Sequence, residues 1–200
     1  MIPKIIHYCW LSDDEKSDII KKCMKSWDIL KEHGFSFMLW NRSMFDVNST
    51  VYTMSCWRNR LYAFICDYIR LKALYEYGGI YMDCDVEVIK PFDDFILNNE
   101  YFITNGKFGG INATTMACEK NNGLFKTAKK YYEKYILPFP ITRRNTMIME
   151  KRLEFIFRNN KDIILSDNVY FNPKHEITDK TYCIHYDCAE WSQDLMKLKI

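Results

Sequence analysis

The sequence predicts an α/β domain in which helices cover a layered sheet, and three observations lead there. Short apolar, β-rich segments alternate with helical periodicities across the first half of the chain. Only 7 Gly and 5 Pro interrupt the 200 residues, so the elements are expected to be joined by short turns rather than linkers. The clearest helical periodicity runs through paired glycines directly into a segment of strict apolar alternation, the join expected where a helix returns to a sheet.

In chain order, Ile2–Cys9 is apolar and β-rich and reads as the first strand. Ser12 followed by Asp13, Asp14 and Glu15 suggests a capped helix start, with the helix running to about His33 and ended by Gly34. Phe35–Trp40 reads as a second buried strand, and 41–55 as a polar, turn-prone stretch. A helix is predicted over Trp57–Tyr77, because Leu61, Phe64, Tyr68, Leu71 and Tyr75 recur at steps of three and four; Gly78 stands at its C-cap. Ile80–Ile89 is expected as one strand with Ile80, Met82, Cys84, Val86 and Val88 on a core face, and Tyr81, Asp83, Asp85 and Glu87 on the other. Further expectations are a strand at Glu100–Thr104, helices at Gly123–Tyr135 and Thr146–Arg158, and short apolar segments at 163–165, 169–171 and 182–186.

Composition narrows the function classes. Hydrophobic residues make up 48% and aromatics 16%, which supports one sizeable core and excludes disordered and low-complexity classes. A net charge of +2 with no long run of one sign gives no footprint for nucleic acid. No uncharged window exceeds eleven residues, short of a spanning helix, and no secretory leader is visible, so a cytoplasmic location is expected. The eight cysteines form no C-x-x-C and are read as reduced core thiols; a zinc site from Cys9, Cys183, Cys188 and His185 matches no known spacing. The sequons at Asn48 and Asn112 carry weight only in a secreted chain. His7, His33 and His175 are read as structural.

Four features suggest chemistry. Asp83-Cys84-Asp85 is the foremost, although 15 Asp among 200 residues predict about one D-x-D by chance, so context must decide. On a single strand face, with Glu87 extending the row, such carboxylates repel one another unless a cation joins them. Oxygen ligands favour Mg²⁺ or Mn²⁺ with a substrate phosphate. Asp67 and Arg70, three apart on one helix face, suit sugar hydroxyls and a diphosphate. Trp10 follows the first strand, where an indole can stack on a base. His185 can ligate a metal or donate to phosphate.

With IPKIIHYCW at the start, AFICDYIRLKALYEYGGIYMDCDVEVIKPFDD in the centre and HYDCAEW near the end, the chain resembles the DXD-containing sugar transferases of glycosyltransferase family 32. The central block 63–94 carries the specific part of the likeness, and a weaker similarity covers nearly the whole chain. The resemblance implies a GT-A fold, a Rossmann-like mixed sheet flanked by helices. It implies a single domain over 1–200, with donor-binding residues in about 1–105 and an acceptor-side, closing part in about 106–200. It further implies a nucleotide-sugar donor, Mn²⁺ or Mg²⁺, and transfer with retention at the anomeric carbon.

By motif, Asp83 and Asp85, with His185, would hold the metal, while Trp10, Asp67, Arg70, Tyr81, Asp83 and Asp85 would hold the donor. Asp67, Arg70 and Asp85 would carry catalysis, and Asn112 and Trp191 would face the acceptor. Cys66 stands where the family commonly has Ser, and Glu190 precedes Trp191 where Ser is usual. The bacterial members suggest a UDP-sugar donor and a glycan or lipid-linked acceptor in capsule or lipopolysaccharide synthesis, with peripheral association at the inner membrane's cytoplasmic face. Two rival classes fit D-x-D as well: a haloacid-dehalogenase-type phosphohydrolase, and a nucleotide-sugar binder without turnover.

Overall fold

The chain runs through β1 (Ile5–Cys9), α1 (Asp18–Ser26), α2 (Asp28–Glu32), β2 (Ser36–Trp40), α3 (Val51–Arg58) and α4 (Tyr62–Tyr77). It continues through β3 (Gly79–Met82), β4 (Val86–Val88), α5 (Asp94–Leu97), β5 (Tyr101–Phe102), β6 (Thr115–Cys118), α6 (Gly123–Glu133) and β7 (Cys183–His185). This computed structural model describes residues 1–106, 110–134, 153–157, 166–173 and 176–188.

A five-stranded sheet has the order β2-β1-β3-β6-β5. β1 is parallel to both β2 and β3, whereas β6 is antiparallel to β3 and to β5, so the sheet is mixed. Every residue of β3 is buried, because the sheet has a core on each face. Ile80 and Met82 join Ile6, Trp27, Leu30, Phe92 and Ala117 on one side. Tyr81 joins Tyr68, Leu71, Met116 and Phe125 on the other. Leu153 and Phe157 are buried in that second core. Tyr81 therefore faces a helix layer, not the polar surface expected from alternation.

Four predicted elements are corrected. The long first helix starts later and breaks: Ser12 Oγ accepts the Asp14 N–H at 2.9 Å in a local turn, and α1 begins only after Ser17. The break at Ser26–Trp27 serves β4, since Ser26 Oγ accepts the Val88 N–H at 2.8 Å and Trp27 Nε1–H donates to the Val86 carbonyl at 2.8 Å. The stretch 41–55 contains the start of α3, where Thr50 and Thr53 form a reciprocal capping box. The helix predicted from Trp57 is divided, because Arg60 adopts a left-handed φ of 56° between α3 and α4.

The strand predicted over 80–89 is two strands. The Val86 N–H bonds the Asp83 carbonyl at 3.1 Å, closing a tight turn at Asp83–Asp85. β4 then leaves the main sheet and pairs antiparallel with β7, Val86 opposite His185 and Val88 opposite Cys183. β6 answers to no predicted strand; β5 and β7 fall within predicted segments, and α6 ends two residues before its predicted limit. Segment 169–171 is a turn whose Phe171 bridges to Cys183, and 163–165 lies outside the described residues. Among the described residues, no helix is long and apolar enough to cross a membrane.

The paired glycines are required by close approach. A Cβ on Gly79 (φ 102°) would lie 2.5 Å from the Ile5 carbonyl oxygen, and one on Gly78 (φ 69°) 2.6 Å from the Lys120 nitrogen. Buried His7 bridges this join: its Nε2 lies 2.8 Å from the Gly78 carbonyl, and its Nδ1 takes a bond from Trp40 Nε1–H at 3.2 Å. That pattern requires a neutral ring with the proton on Nε2.

Burial lowers the His7 pKa from 6.5 to about 4, against the raising effect of the Gly78 bond. The unfolded chain thus binds the proton first, so this stabilisation is present above pH 6.5 and lost as pH falls toward 4. The loss amounts to about 3 kcal/mol. Urea midpoints at pH 7 and pH 4.5 should show it, and His7→Gln should flatten the difference. An equal pH slope in that variant contradicts the assignment.

Candidate active site

β1 lies inside the sheet, and the chain leaves it toward β2 on one side and β3 on the other. The crevice at the carboxyl ends of β1 and β3 is therefore a topological switch point, where open α/β sheets bind ligands. Trp10 follows β1 and Asp83 follows β3, so the fold delivers both to that crevice. Cys84 closes its floor, its thiol 3.3 Å from the Cys9 carbonyl.

Asp67 and Arg70 come to the same place on α4. Arg70 is 6% exposed and lies 3.1 Å from Asp67 and 3.6 Å from Asp83. It also donates to the Ala113 and Cys66 carbonyls and covers the Tyr81 ring at 4.7 Å. Burial works against its charge, but Asp83, Tyr81 and Asp67 outweigh that cost and hold it protonated. Arg70 thus serves as a buried hub between the two carboxylates and the Ala113 and Cys66 carbonyls. Tyr81 OH donates to Asp83 Oδ1 at 2.8 Å, and the Asp83 N–H bonds the Thr114 carbonyl at 2.9 Å.

Asp85 is held from the β7 side. Its Oδ1 lies 3.1 Å from His185 Nε2, and its Oδ2 accepts the Cys188 N–H at 3.0 Å. The other ring nitrogen, Nδ1, lies 2.8 Å from Asp187 Oδ1. Burial raises the Asp83 carboxyl, helped by Asp85 and opposed by Arg70. Burial also pushes Asp85 up, but His185 and the Cys188 N–H bring it below its ordinary value. For His185, burial disfavours the charged ring, and Asp85, Asp83 and Asp187 reverse this and raise its pKa.

One ligating atom from each of Asp83, Asp85 and His185 falls within 4.8 Å of the others. Among the described residues this is the group of metal-ligating side chains that the fold brings together, and it joins His185 to aspartates rather than cysteines. The donor set fits a divalent cation. Both side-chain contacts of Asp83 fall on Oδ1, which leaves Oδ2 for a ligand role. Two carboxylates with one imidazole suit Mn²⁺ better than Mg²⁺.

The remaining predicted residues are placed as follows. Trp10 is half-buried, its Nε1–H donates to the Asp14 carbonyl at 3.2 Å, and the Lys16 ammonium lies 4.5 Å from its ring centre. It borders a cleft of about 230 Å³ shared with Leu39, Asn41 and Arg42. Asn112 is buried and spends its amide on Thr104, Thr114 and the Phe171 carbonyl, so it reaches the site through its neighbours Ala113 and Thr114. Glu87 does not join the carboxylate row; it bonds Lys22 and Tyr186. Trp191 lies outside the described residues. All eight cysteines are free thiols, with Cys66 and Cys188 half-buried and the others buried.

Asp187, Tyr186, Lys16 and Lys22 are neighbours of the site that the sequence did not single out. The roles of Asp187, Tyr186 and Lys22 depend on pairing β4 with β7, which no local pattern announces, whereas Lys16 lies over Trp10.

Residues 16–103 match the family described as glycosyltransferase sugar-binding region containing DXD motif, a span that includes Asp67, Arg70, Asp83 and Asp85. The chain is 25% identical over 231 residues to an uncharacterized glycosyltransferase of Acanthamoeba polyphaga mimivirus, covering 100% of this chain and 88% of that one. It is 25% identical over 150 residues to inositol phosphoceramide mannosyltransferase 1 of Schizosaccharomyces pombe, covering 70% of this chain and 46% of that protein.

Among solved structures, the PaToxG glycosyltransferase superposes with a TM-score of 0.54 at 15% identity, covering 80% of this chain and 69% of that one. A glycosyltransferase involved in glycosylation of the major capsid of PBCV-1 superposes at 0.52 and 15% identity, covering 99% of this chain and 100% of that one. These likenesses support a glycosyltransferase rather than a phosphohydrolase. Residues 16–103 thus resemble the DXD-containing glycosyltransferases, the relatives named above are glycosyltransferases, and the mixed sheet flanked by helices is a GT-A fold.

Proposed function

We propose that this glycosyltransferase moves a sugar from a UDP-sugar to a hydroxyl of a glycan or lipid-linked acceptor, with Mn²⁺ held by Asp83, Asp85 and His185. The observation that carries the reading is the convergence of those three side chains, ligating atoms within 4.8 Å, with Asp83 directly after β3 at the sheet's switch point. When bound, the cation supplies Lewis-acid neutralisation of the departing diphosphate, worth several kcal/mol. The chain's own residues arrange the rest. Trp10 offers a stacking face for the base, over which the Lys16 ammonium now lies. Asp67 accepts from the donor's hydroxyls while Arg70 fixes its orientation and that of Asp83.

Among the described residues we assign no side chain as a covalent nucleophile, and same-face attack by the acceptor hydroxyl accommodates retention. A lipid acceptor agrees with the name of the yeast relative, inositol phosphoceramide mannosyltransferase 1.

Thermal-shift and turnover panels of UDP-, GDP- and other nucleotide sugars, each with and without Mn²⁺, test this reading. UDP at a hundredfold excess over its Kd should stabilise the Mn²⁺-loaded protein by about 2.7 kcal/mol, and should do much less in EDTA. A response to GDP alone overturns the donor base. A nucleotide response indifferent to EDTA overturns the metal.

A further inference from the structure

We propose that Asp187 is a positioning residue for the candidate metal centre: it anchors Nδ1 of His185 so that Nε2 is the nitrogen presented between Asp83 and Asp85. The proposal rests on the metal reading above.

The ring is gripped at both nitrogens, by Asp187 at 2.8 Å on Nδ1 and by Asp85 at 3.1 Å on Nε2. A neutral imidazole carries one proton, so the two carboxylates compete for it. Proton on Nε2 would point an N–H at Asp85 and leave no lone pair for a cation. Proton on Nδ1, donated to the nearer Asp187, leaves the Nε2 lone pair facing both aspartates of D-x-D. A carboxylate on the far nitrogen is the arrangement that fixes tautomer and ring angle in metal-ligating histidines.

The backbone supports this geometry. Tyr186 N–H bonds the Asp85 carbonyl at 3.1 Å and Cys188 N–H bonds Asp85 Oδ2 at 3.0 Å, so both neighbours of Asp187 are tied to Asp85. Asp187 itself takes a left-handed φ of 51°, which turns its carboxylate back to the ring two residues earlier. Outside the site, Tyr186 OH bonds Glu87 and takes a bond from Lys22 Nζ at 3.1 Å, which clips the segment to α1 and β4. The Asp187 side chain is 56% exposed, so its removal opens no core cavity.

Mn²⁺ affinity of the donor-free protein, read by the free-ion electron paramagnetic resonance signal, is the first measurement. Nitrogen-15 detection of the His185 tautomer in metal-free protein, at a pH where the ring is neutral, is the second. Asp187→Ala should weaken Mn²⁺ binding about 10- to 100-fold and shift the ring proton to Nε2, with the melting temperature lowered only by the few degrees that alanine costs at a left-handed φ. Asp187→Asn, which keeps an acceptor oxygen without its charge, should fall between.

Wild-type Mn²⁺ affinity or an unchanged tautomer in Asp187→Ala overturns the proposal while leaving the metal site intact. A wild-type protein that binds no Mn²⁺, or whose Mn²⁺ binding survives His185→Ala, overturns the metal reading and this proposal with it.

Discussion

Asp85→Ala is expected to lower sugar transfer by about 10³-fold or more in kcat/KM. Asp85 is one of the three converging candidate ligands and also fixes the other side of the site, since both of its oxygens hold the β7 segment, at His185 and at the Cys188 N–H. Losing a Lewis-acid contact worth about 4 kcal/mol at the leaving diphosphate corresponds to that factor. The fold should persist, because β4 pairs with β7 through backbone bonds that the substitution does not touch. The check is initial-rate kinetics over a Mn²⁺ titration, together with a melting curve. Turnover that survives with undiminished Mn²⁺ dependence would remove D-x-D from the mechanism.

Arg70→Met is expected to be the most destabilising single change in the site. The guanidinium is buried between Asp67 at 3.1 Å and Asp83 at 3.6 Å, and it satisfies the Ala113 carbonyl. Methionine has comparable length, so the change isolates charge from volume, and it leaves two carboxylates with little access to water and no compensating cation. Breaking a buried pair in this way costs about 3–5 kcal/mol, which lowers Tm by roughly 6–20 °C for a chain of this size. Arg70→Lys should recover part of the loss, because a point charge replaces a planar fork. Urea melts of the three proteins measure the effect. A Met variant as stable as wild type would mean that Asp67 and Asp83 are neutral in the fold, contrary to the hub described above.

How much of this was legible before the structure depends on whether the signal was local. β1, the body of α4, the Gly78–Gly79 join and β3 follow from period and punctuation, since each packs a periodic face or needs a positive φ. The turn at Asp83–Asp85 was invisible because Ile80, Met82, Val86 and Val88 enter the same core on both sides of it, so the alternation continues through the bend. α3 was missed because Thr53 takes the place of the usual Glu or Gln in its capping box.

Asp67, Arg70, Asp83 and Asp85 stood out by spacing, and the fold does bring them together. Arg70, expected at a diphosphate, is buried among Asp67, Asp83 and the Ala113 and Cys66 carbonyls in this structure. The convergence of His185 depends on β4 pairing with β7, a contact between segments about a hundred residues apart, and Asp187 carries no pattern of its own.

Anomalous diffraction from crystals grown with Mn²⁺ and UDP puts the central claim to its most direct test. The account predicts one manganese peak within bonding distance of Asp83, Asp85 and His185 Nε2, about 2.2 Å from the carboxylate oxygens, with the uracil against Trp10. Manganese and nucleotide bound together elsewhere on the protein, with those three side chains uncoordinated, would contradict it.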